Sequence, residues 1–401
     1  VTGAGGLSRI FADLHIHIGC TDAGEPVKIS ASREMTFRRI AREAAERKGI
    51  GLIGVIDAHS PGVQDDIMRL LDRGEMEEVP DGGIRYRQTT ILLGAEIEVK
   101  EPARGPAHYL VFLPRLSDMS DFTRWMERRM RNVRLSSQRL YAAGRELQRE
   151  VRERGGLFIP AHIFTPHKSL FGSSADRVEE VLDPELIDAV ELGLSADTEM
   201  AGWVADLDRY PFLTNSDAHS PAKIGREYNA LRMAAPTFAE FRLALLGRDG
   251  RGIEANYGLQ PRLGKYHRTA CLRCGAAPET PDSRRCAICG GTRFVRGVSE
   301  RIRQLASLAG RTDSRTDGRP PYIHQVPLEF VPGVGPAALN RLLERFGSEM
   351  EVLHRATPSE LAETIGPKTA GMIVKARAGL LALKAGGGGH YGGVITGTSG
   401  T

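Results

Sequence analysis

No stretch of this 401-residue chain approaches eighteen consecutive apolar residues, which excludes a membrane-spanning helix. The opening residues lack the basic, then apolar, then small-residue succession of a signal peptide, so the expected location is the cytoplasm and no membrane partner is expected. Cysteine is scarce: there are five, and four of them fall between positions 271 and 289, a distribution that argues against a disulfide-stapled scaffold. Residues 386–401 contain no Asp, Glu, Lys or Arg and are rich in glycine, so a disordered tail is expected there. Composition is otherwise ordinary. With 41% hydrophobic and 26% charged residues, wholesale disorder and a fibrous repeat are excluded, and the length calls for two or three domains with a real core.

The net charge of +4 is unevenly spread. Residues 261–385 carry 20 Lys+Arg against 11 Asp+Glu, whereas residues 1–260 carry 34 against 39. The basic C-terminal part is suited to a polyanion, although a solvated basic surface accounts for the charge equally well. Histidine is biased the other way, with seven of eleven before residue 220.

Between residues 10 and 257 short apolar runs alternate with helical periodicity. Strands are expected over 10–17, 50–56, 90–99, 109–112, 157–160, 189–192 and 211–215, with helices over 36–48 and, as one long element, 121–154. Such alternation predicts βα units and a parallel sheet or barrel. The ten arginines of 121–154 read chiefly as a solvated helix face. Residues 258–267 read as a linker, and 311–321 as a polar connection.

Polar, metal-competent side chains sit at the ends of these strands. The first closes on Asp13-Leu14-His15-Ile16-His17, and residues two apart on a strand share a face, so both imidazoles are presented together while Leu14 and Ile16 pack away from them. Asp57 and His59 end the next strand, and Glu96 and Glu98 the third. His108 precedes an apolar run, His162 follows one, and Asp217 and His219 follow another. A single histidine of this kind is most simply a hydrogen-bonded residue. The set is what a barrel needs to gather ligands at one mouth, where buried charges require metal ions to neutralise them.

The ordered motifs Asp-Leu-His-x-His, Asp-x-His, Gly-x-Glu, an isolated His, Ala-His and Ser-Asp-Ala-His resemble those of the PHP (polymerase and histidinol phosphatase) metallohydrolases over about residues 10–225. The resemblance implies an α/β fold, a distorted (β/α)7 barrel spanning 8–257, with two or three divalent ions (Zn, Mn or Mg). It implies one ion on His15, His17, Glu96 and Asp217, with Glu96 bridging to a second on His108 and His162. A third ion would use His59 and His219, but the segment Gly19–Pro26 has no histidine to complete that site. Glu96, Asp217 and His219 are the expected catalytic residues. Two such ions would acidify a water and stabilise charge on phosphoryl oxygens. Asp13 and Asp57 read as carboxylates that orient imidazoles. His167, Lys168 and Ser169 lie in a loop that suits either a substrate phosphate or plain solvent, and Cys20 reads as a reduced thiol near the cluster.

Cys271-x2-Cys274 and Cys286-x2-Cys289, each pair followed by glycine, have the spacing of a closed four-thiolate structural zinc site within a 262–310 ribbon domain. Its ten basic against three acidic residues suit nucleic acid. Val331-Pro332-Gly333-Val334-Gly335-Pro336 with its following helix, and Ile365-Gly366-Pro367-Lys368, resemble two helix-hairpin-helix motifs in an α-helical domain over 322–385. Backbone N–H groups at Gly333, Gly335 and Gly366, with Lys168 and Lys368, are candidate DNA phosphate contacts.

A phosphoesterase barrel followed by a four-cysteine ribbon and a hairpin module resembles the endonuclease Q family over nearly the whole chain. That resemblance implies a monomeric DNA repair endonuclease cutting 5′ of deoxyuridine, deoxyinosine and deoxyxanthosine, with abasic sites and a sliding clamp as further candidate substrate and partner. Two other readings remain: a phosphatase of a small phosphomonoester, which has no use for the ribbon and hairpins, and a noncatalytic DNA-binding scaffold, which would have lost ligands, whereas none of the principal ones is missing.

Overall fold

Apolar runs bounded by polar residues become the strands of one large sheet. The structure, a computed structural model, describes residues 6–280, 283–384, 386 and 391–394. Strands Ser8–Ile16, Leu52–Val55 and Thr89–Lys100 pair in parallel at its centre. The sheet then runs antiparallel through Pro106–Leu113 to Leu157–Pro160, and on its other side antiparallel through Tyr228–Met233 to Gly252–Gly258. It is therefore mixed and not wholly parallel. Lys100 and Pro106 are too close in sequence for a parallel return, which takes a dozen or more residues, so the chain turns back as a hairpin.

Val190–Glu191 and Phe212–Leu213 form a separate parallel pair that fills the gap in the ring. Backbone bonds from Asp188 N–H to Phe158 O (3.0 Å) and from Ile163 N–H to Glu191 O (2.9 Å) tie it to Leu157–Pro160. On the opposite flank a single backbone bridge, His17 N–H to Ala218 O and Ala218 N–H to His15 O (3.0 Å each), is supplemented by buried asparagines. Asn215 Oδ1 accepts from Leu14 N–H (3.0 Å), Asn229 Oδ1 accepts from Thr214 N–H (3.0 Å), and Asn256 Nδ2 donates to Phe212 O (3.0 Å). Each side-chain amide satisfies a backbone group that would otherwise be buried without a partner.

One apolar cluster draws Ala12, Leu14, Leu52, Leu92, Phe112, Ile159, Leu213 and Leu231 from strands all round the ring and is stoppered by the Phe238–Leu245 helix; this is the barrel interior. A larger cluster, including Ile16, Phe37, Ile67 and Phe122, packs helices on the outside. Leu14 and Ile16 thus do not pack together as their spacing predicts. The pairing register shifts between Asp13 and Ile16, and such a bulge re-aims the side chains that follow it.

The expected long helix over 121–154 is two helices, Leu116–Glu127 and Gly144–Glu153. Between them the chain leaves helical geometry: Asn132 Oδ1 accepts from Arg134 N–H (3.0 Å), and Ser137 takes a left-handed φ of 52°. Local side-chain bonds of this kind compete with the helix ladder. Val133 and Leu140, whose spacing suggested continuity, anchor the loop by burial.

Beyond the barrel, Ala270–Cys271 pairs with Phe294–Val295, and the Val298–Leu308 helix joins this module to the barrel through buried Arg301, which donates to Phe171 O (2.6 Å) and Ala175 O (2.9 Å). The polar connection 311–321 is pinned: Arg311 forks onto Asp208 at 2.8 Å for each bond, and Arg319 lies 3.6 Å over the Phe212 ring. Tyr322–His324 then adds a strand to the barrel sheet, parallel to Gly252–Gly258. Helices Pro336–Phe346, Glu349–His354, Pro358–Ile365 and Pro367–Arg377 follow, sharing buried Leu342, Leu361 and Ile373. This module sits firmly on the barrel, with Lys48 Nζ 2.9 Å from Glu349 and the His354 ring stacked 4.3 Å from Phe11. In the tail where disorder is expected, Gly393–Val394 pairs with Leu383–Lys384; residues 387–390 and 395–401 lie outside the described residues. No described helix is long and apolar enough to cross a membrane.

Candidate metal centre

Strand ends from all round the ring bring seven of the eight expected side chains, all but His59, into donor groups at one mouth. His15 Nε2 lies 3.7 Å from Glu96 Oε1 and 3.5 Å from Asp217 Oδ1, and His17 Nε2 lies 3.6 Å from both Glu96 Oε2 and Asp217 Oδ1. These separations are too long for hydrogen bonds. They are what two ligands about 2.0–2.2 Å from a shared tetrahedral ion would show. Around the same carboxylate, His108 Nδ1 is 2.7 Å and His162 Nε2 3.3 Å from Glu96 Oε1. Three overlapping donor groups result: His15, His17 and Glu96; Glu96, His108 and His162; and His17, Asp217 and His219.

The imidazoles are held from behind. His15 Nδ1 donates to Glu191 (2.9 Å), and His17 Nδ1 to Asp57 Oδ2 (3.0 Å), which leaves each Nε2 lone pair facing the cluster. Asp57 also accepts from Ile18 N–H at 2.7 Å. Asp13 was expected to hold an imidazole as Asp57 does, but it accepts from Ser216 N–H (3.0 Å) and Gly225 N–H (2.8 Å). It therefore fixes the backbone that carries Asp217.

Burial and charge are in conflict here. Burial alone would push His15 down, but Glu191, Asp217 and Glu96 overcome it and raise the ring to about 10. Burial pushes Glu96 up, yet His108 and Lys28 hold its carboxyl well below the usual range, and the surrounding imidazoles do the same to Asp217. Such a concentration of carboxylates demands cations. His15 Nε2 and His108 Nε2 are buried without a hydrogen-bond partner, so the donor set fits divalent ions.

His219 joins His17 and Asp217 in a donor group, whereas His59, its expected partner, is in none among the described residues. His59 Nε2 faces Leu135 O at 3.4 Å, and its Nδ1 has no partner; His219 Nδ1 faces Asp217 O at 3.0 Å. Cys20 is buried, its thiol donating to Arg33 O (3.1 Å), and it joins no donor group. Lys168 Nζ meets Glu98 Oε2 at 2.9 Å on the rim, and Glu98, with the His108 ring 3.8 Å away and Lys168 beside it, is lowered to about 2.

Sequence reasoning missed Glu191, Lys28, Ser136 and Ser137. Ser137 donates to Glu96, and Ser136 Oγ lies 3.3 Å from His17 Nδ1. One signal is conformational. Ser137, His162, Lys168 and Asp217 all have positive φ (52°, 30°, 56° and 46°), an uncommon geometry that gathers where surroundings over-determine the backbone. Gly193 makes room for one of them, since a Cβ there would lie 2.9 Å from His162 Cβ.

Above the cluster opens a cavity of about 390 Å³, whose wall includes His167, Lys168, Lys265, Tyr266 and Tyr391. The segment that reads as a linker therefore forms part of the mouth, and the His167 and Tyr266 rings meet edge to face at 5.6 Å.

The four thiols form a second group, with Cys271 Sγ 3.6 Å from Cys289 Sγ and Cys274 Sγ 3.5 Å from Cys286 Sγ. Backbone N–H of Arg273 donates to Cys271 Sγ at 3.4 Å, as thiolates in zinc knuckles accept. Gly333 and Gly366 adopt φ of 90° and 84° just before helices, and Gly335 caps the Pro336–Phe346 helix; Lys368 is exposed in the first turn of its own. The two hairpins touch, since a Cβ on Gly333 would lie 3.0 Å from Thr369 Oγ1.

No protein-family profile matches the chain. A Bacillus subtilis (strain 168) protein of uncharacterised function, YqxK, is 54% identical over 388 residues, which is 96% of this chain and 99% of the relative. The crystal structure of PfuEndoQ, a lesion-specific endonuclease from Pyrococcus furiosus, superposes with a TM-score of 0.83 at 33% identity, over 96% of this chain and 95% of that one. Endonuclease Q in complex with a 27-mer duplex substrate, an abasic lesion at its active site, gives 0.84 at 33% identity over 98% and 97%. The likeness extends past the barrel through the thiolate module and the hairpins, as common descent of the entire chain requires, and the chain belongs to the endonuclease Q family.

Proposed function

We propose that this chain is a metal-dependent DNA endonuclease that hydrolyses the phosphodiester 5′ of deaminated bases and abasic sites. The observation that carries the reading is the imidazole and carboxylate cluster on the floor of a basic-rimmed cavity, in a chain similar over its full length to an endonuclease Q solved on a lesion-bearing duplex. Divalent ions, when bound, activate a water and neutralise charge developing on the phosphodiester. One would be held by His15, His17, Glu96 and Asp217, the other by Glu96, His108 and His162. Glu191 and Asp57 keep the His15 and His17 rings in the tautomer that ligates. Lys168 and Lys265 face the cavity where phosphates pass, and the cationic ribbon and the glycine hairpins bind the duplex backbone without reading sequence. We take the active species to be a monomer, in which one chain supplies every donor in both groups.

Uracil and hypoxanthine share a carbonyl where cytosine and adenine carry an amine. A pocket with a donor aimed at that oxygen accepts both products and rejects both parents, once the base is turned out of the stack. The test is a labelled duplex series containing U·A, U·G, I·T, an abasic site, T·G and C·G, with manganese or magnesium supplied. Nicking 5′ of the lesion is expected in the first four and not in T·G or C·G. Equal cutting of T·G and U·G would show that helix distortion is sensed instead, and no cutting of any lesion would overturn the reading.

A further inference from the structure

Among the described residues the third donor group, His17, Asp217 and His219, shares His17 and Asp217 with the set expected for the first ion, and something cationic already stands beside Glu96. Lys28 follows the loop that carries no histidine, and its backbone is fixed by a bond from its N–H to Ile18 O (2.9 Å). Its side chain, only 16% exposed, runs into the cavity, where Nζ donates to Glu96 Oε2 (3.2 Å) and Ser137 Oγ (2.5 Å). The other polar residues of that loop turn elsewhere: Asp22 toward Arg38 (3.7 Å), and Glu25 toward Arg134 (3.5 Å).

The remaining candidates for a third site are engaged. Asp57 holds His17 and the Ile18 N–H, and His59, 1% exposed, is closed off by Leu135. The loop that closes it also delivers Ser137, and Ser136 N–H donates to Val27 O (2.9 Å), which ties the two loops together.

We propose that Lys28 is a catalytic residue that takes the place of a third divalent ion: its ammonium neutralises the outer oxygen of Glu96 and offers its remaining N–H to a non-bridging oxygen of the scissile phosphate. An ammonium has three donors, and Glu96 and Ser137 use two. Charge balance agrees. Two divalent ions cancel Glu96, Asp217, Asp57 and Glu191, and Lys168 cancels Glu98, so Lys28 leaves one positive charge for the one negative charge of a phosphodiester. The inference rests on the endonuclease reading but asks a separate question, namely how many ions the barrel holds and what completes its charge.

The experiment measures bound metal by mass spectrometry and turnover on both bis(4-nitrophenyl) phosphate and an abasic duplex, for the wild type, Lys28→Met and Lys28→Arg. The wild type should hold two barrel ions besides the thiolate zinc. Lys28→Met should keep both ions and its thermal midpoint while kcat falls about 100-fold or more, the scale of losing one donor to a developing oxyanion. KM should change little, and Lys28→Arg should recover part of kcat. Three barrel ions in the wild type, kcat within about threefold in Lys28→Met, or loss of ions or folding in Lys28→Met with none of it restored in Lys28→Arg would each overturn the proposal. A wild type that cleaves the small diester but not the duplex would sink the DNA reading and leave the Lys28 result standing.

Discussion

Glu96 is the side chain on which the centre turns, because two of the three donor groups include it and both its oxygens are engaged. Replacing it with Gln keeps the shape and removes the charge. Glu96→Gln and Asp217→Asn should abolish nicking of a lesion duplex while affinity for that duplex, measured by anisotropy, stays near the wild-type value. Glu191 acts at one remove: it holds His15 Nδ1, accepts from His162 N–H (2.7 Å) and takes a bond from Asn215 Nδ2 (2.8 Å). Glu191→Gln should lower the affinity for barrel metal about 10- to 100-fold, the usual effect of losing such a supporting carboxylate, and excess metal should restore cleavage. Metal titration followed by activity distinguishes this from the Asp217 variant, which excess metal should not rescue.

Among elements, the thiolate ribbon has the least hydrophobic support. Cys274 is exposed, and Leu272 and Ile288, between the paired cysteines, are 56% and 78% exposed, so its strands have little core to bury. Structural zinc supplies about 10 kcal/mol or more of folding free energy in modules of this kind. Cys271→Ser with Cys274→Ser should therefore cost one tightly held zinc and unfold the ribbon around residues 268–295, weakening DNA binding while bis(4-nitrophenyl) phosphate hydrolysis at the barrel survives. Unchanged zinc content would contradict the assignment. The ribbon and the strand ends were the most legible parts of the sequence, because Cys-x2-Cys and His-x-His encode their geometry in spacing alone. Glu191 was illegible for the opposite reason: it ends a two-residue strand and reaches its partners at positions 15, 162 and 215 only through the closed ring. The 121–154 segment misled because burial of Val133 and Leu140 gives the same periodic signal in a loop packed at the barrel mouth as in a helix.

For the molecule as a whole, stability should depend on pH through a group outside the donor set. Glu227 is fully buried, accepting from Thr214 Oγ1 (2.5 Å) and Leu259 N–H (2.9 Å), and burial pushes its carboxyl up to about 7 in spite of those bonds. The folded state thus holds a proton that the unfolded chain releases near 4.5. The contribution of this group is most favourable below the unfolded value and is lost as pH rises toward 7, by about 3 kcal/mol for a shift of this size. Glu227→Gln can keep both bonds, donating to Thr214 and accepting from Leu259. It should flatten the fall in the thermal midpoint between pH 5 and 8, and an unchanged slope would show that Glu227 is not its source.

The asparagine seam has a further consequence for the molecule in motion. A ring closed on one side by one backbone bridge and side-chain amides has fewer cooperative bonds to break there than along its ladders, and local opening proceeds from such places. Phe212–Leu213 borders that seam and Val190–Glu191 pairs with it, and the two carry the carboxylate behind His15 and lead directly into Asp217. Amide deuterium uptake should therefore be fastest, among the barrel strands, in these two. Loading the barrel with metal should slow uptake there more than anywhere else, so that the ions serve as the clasp of the ring as well as its chemistry.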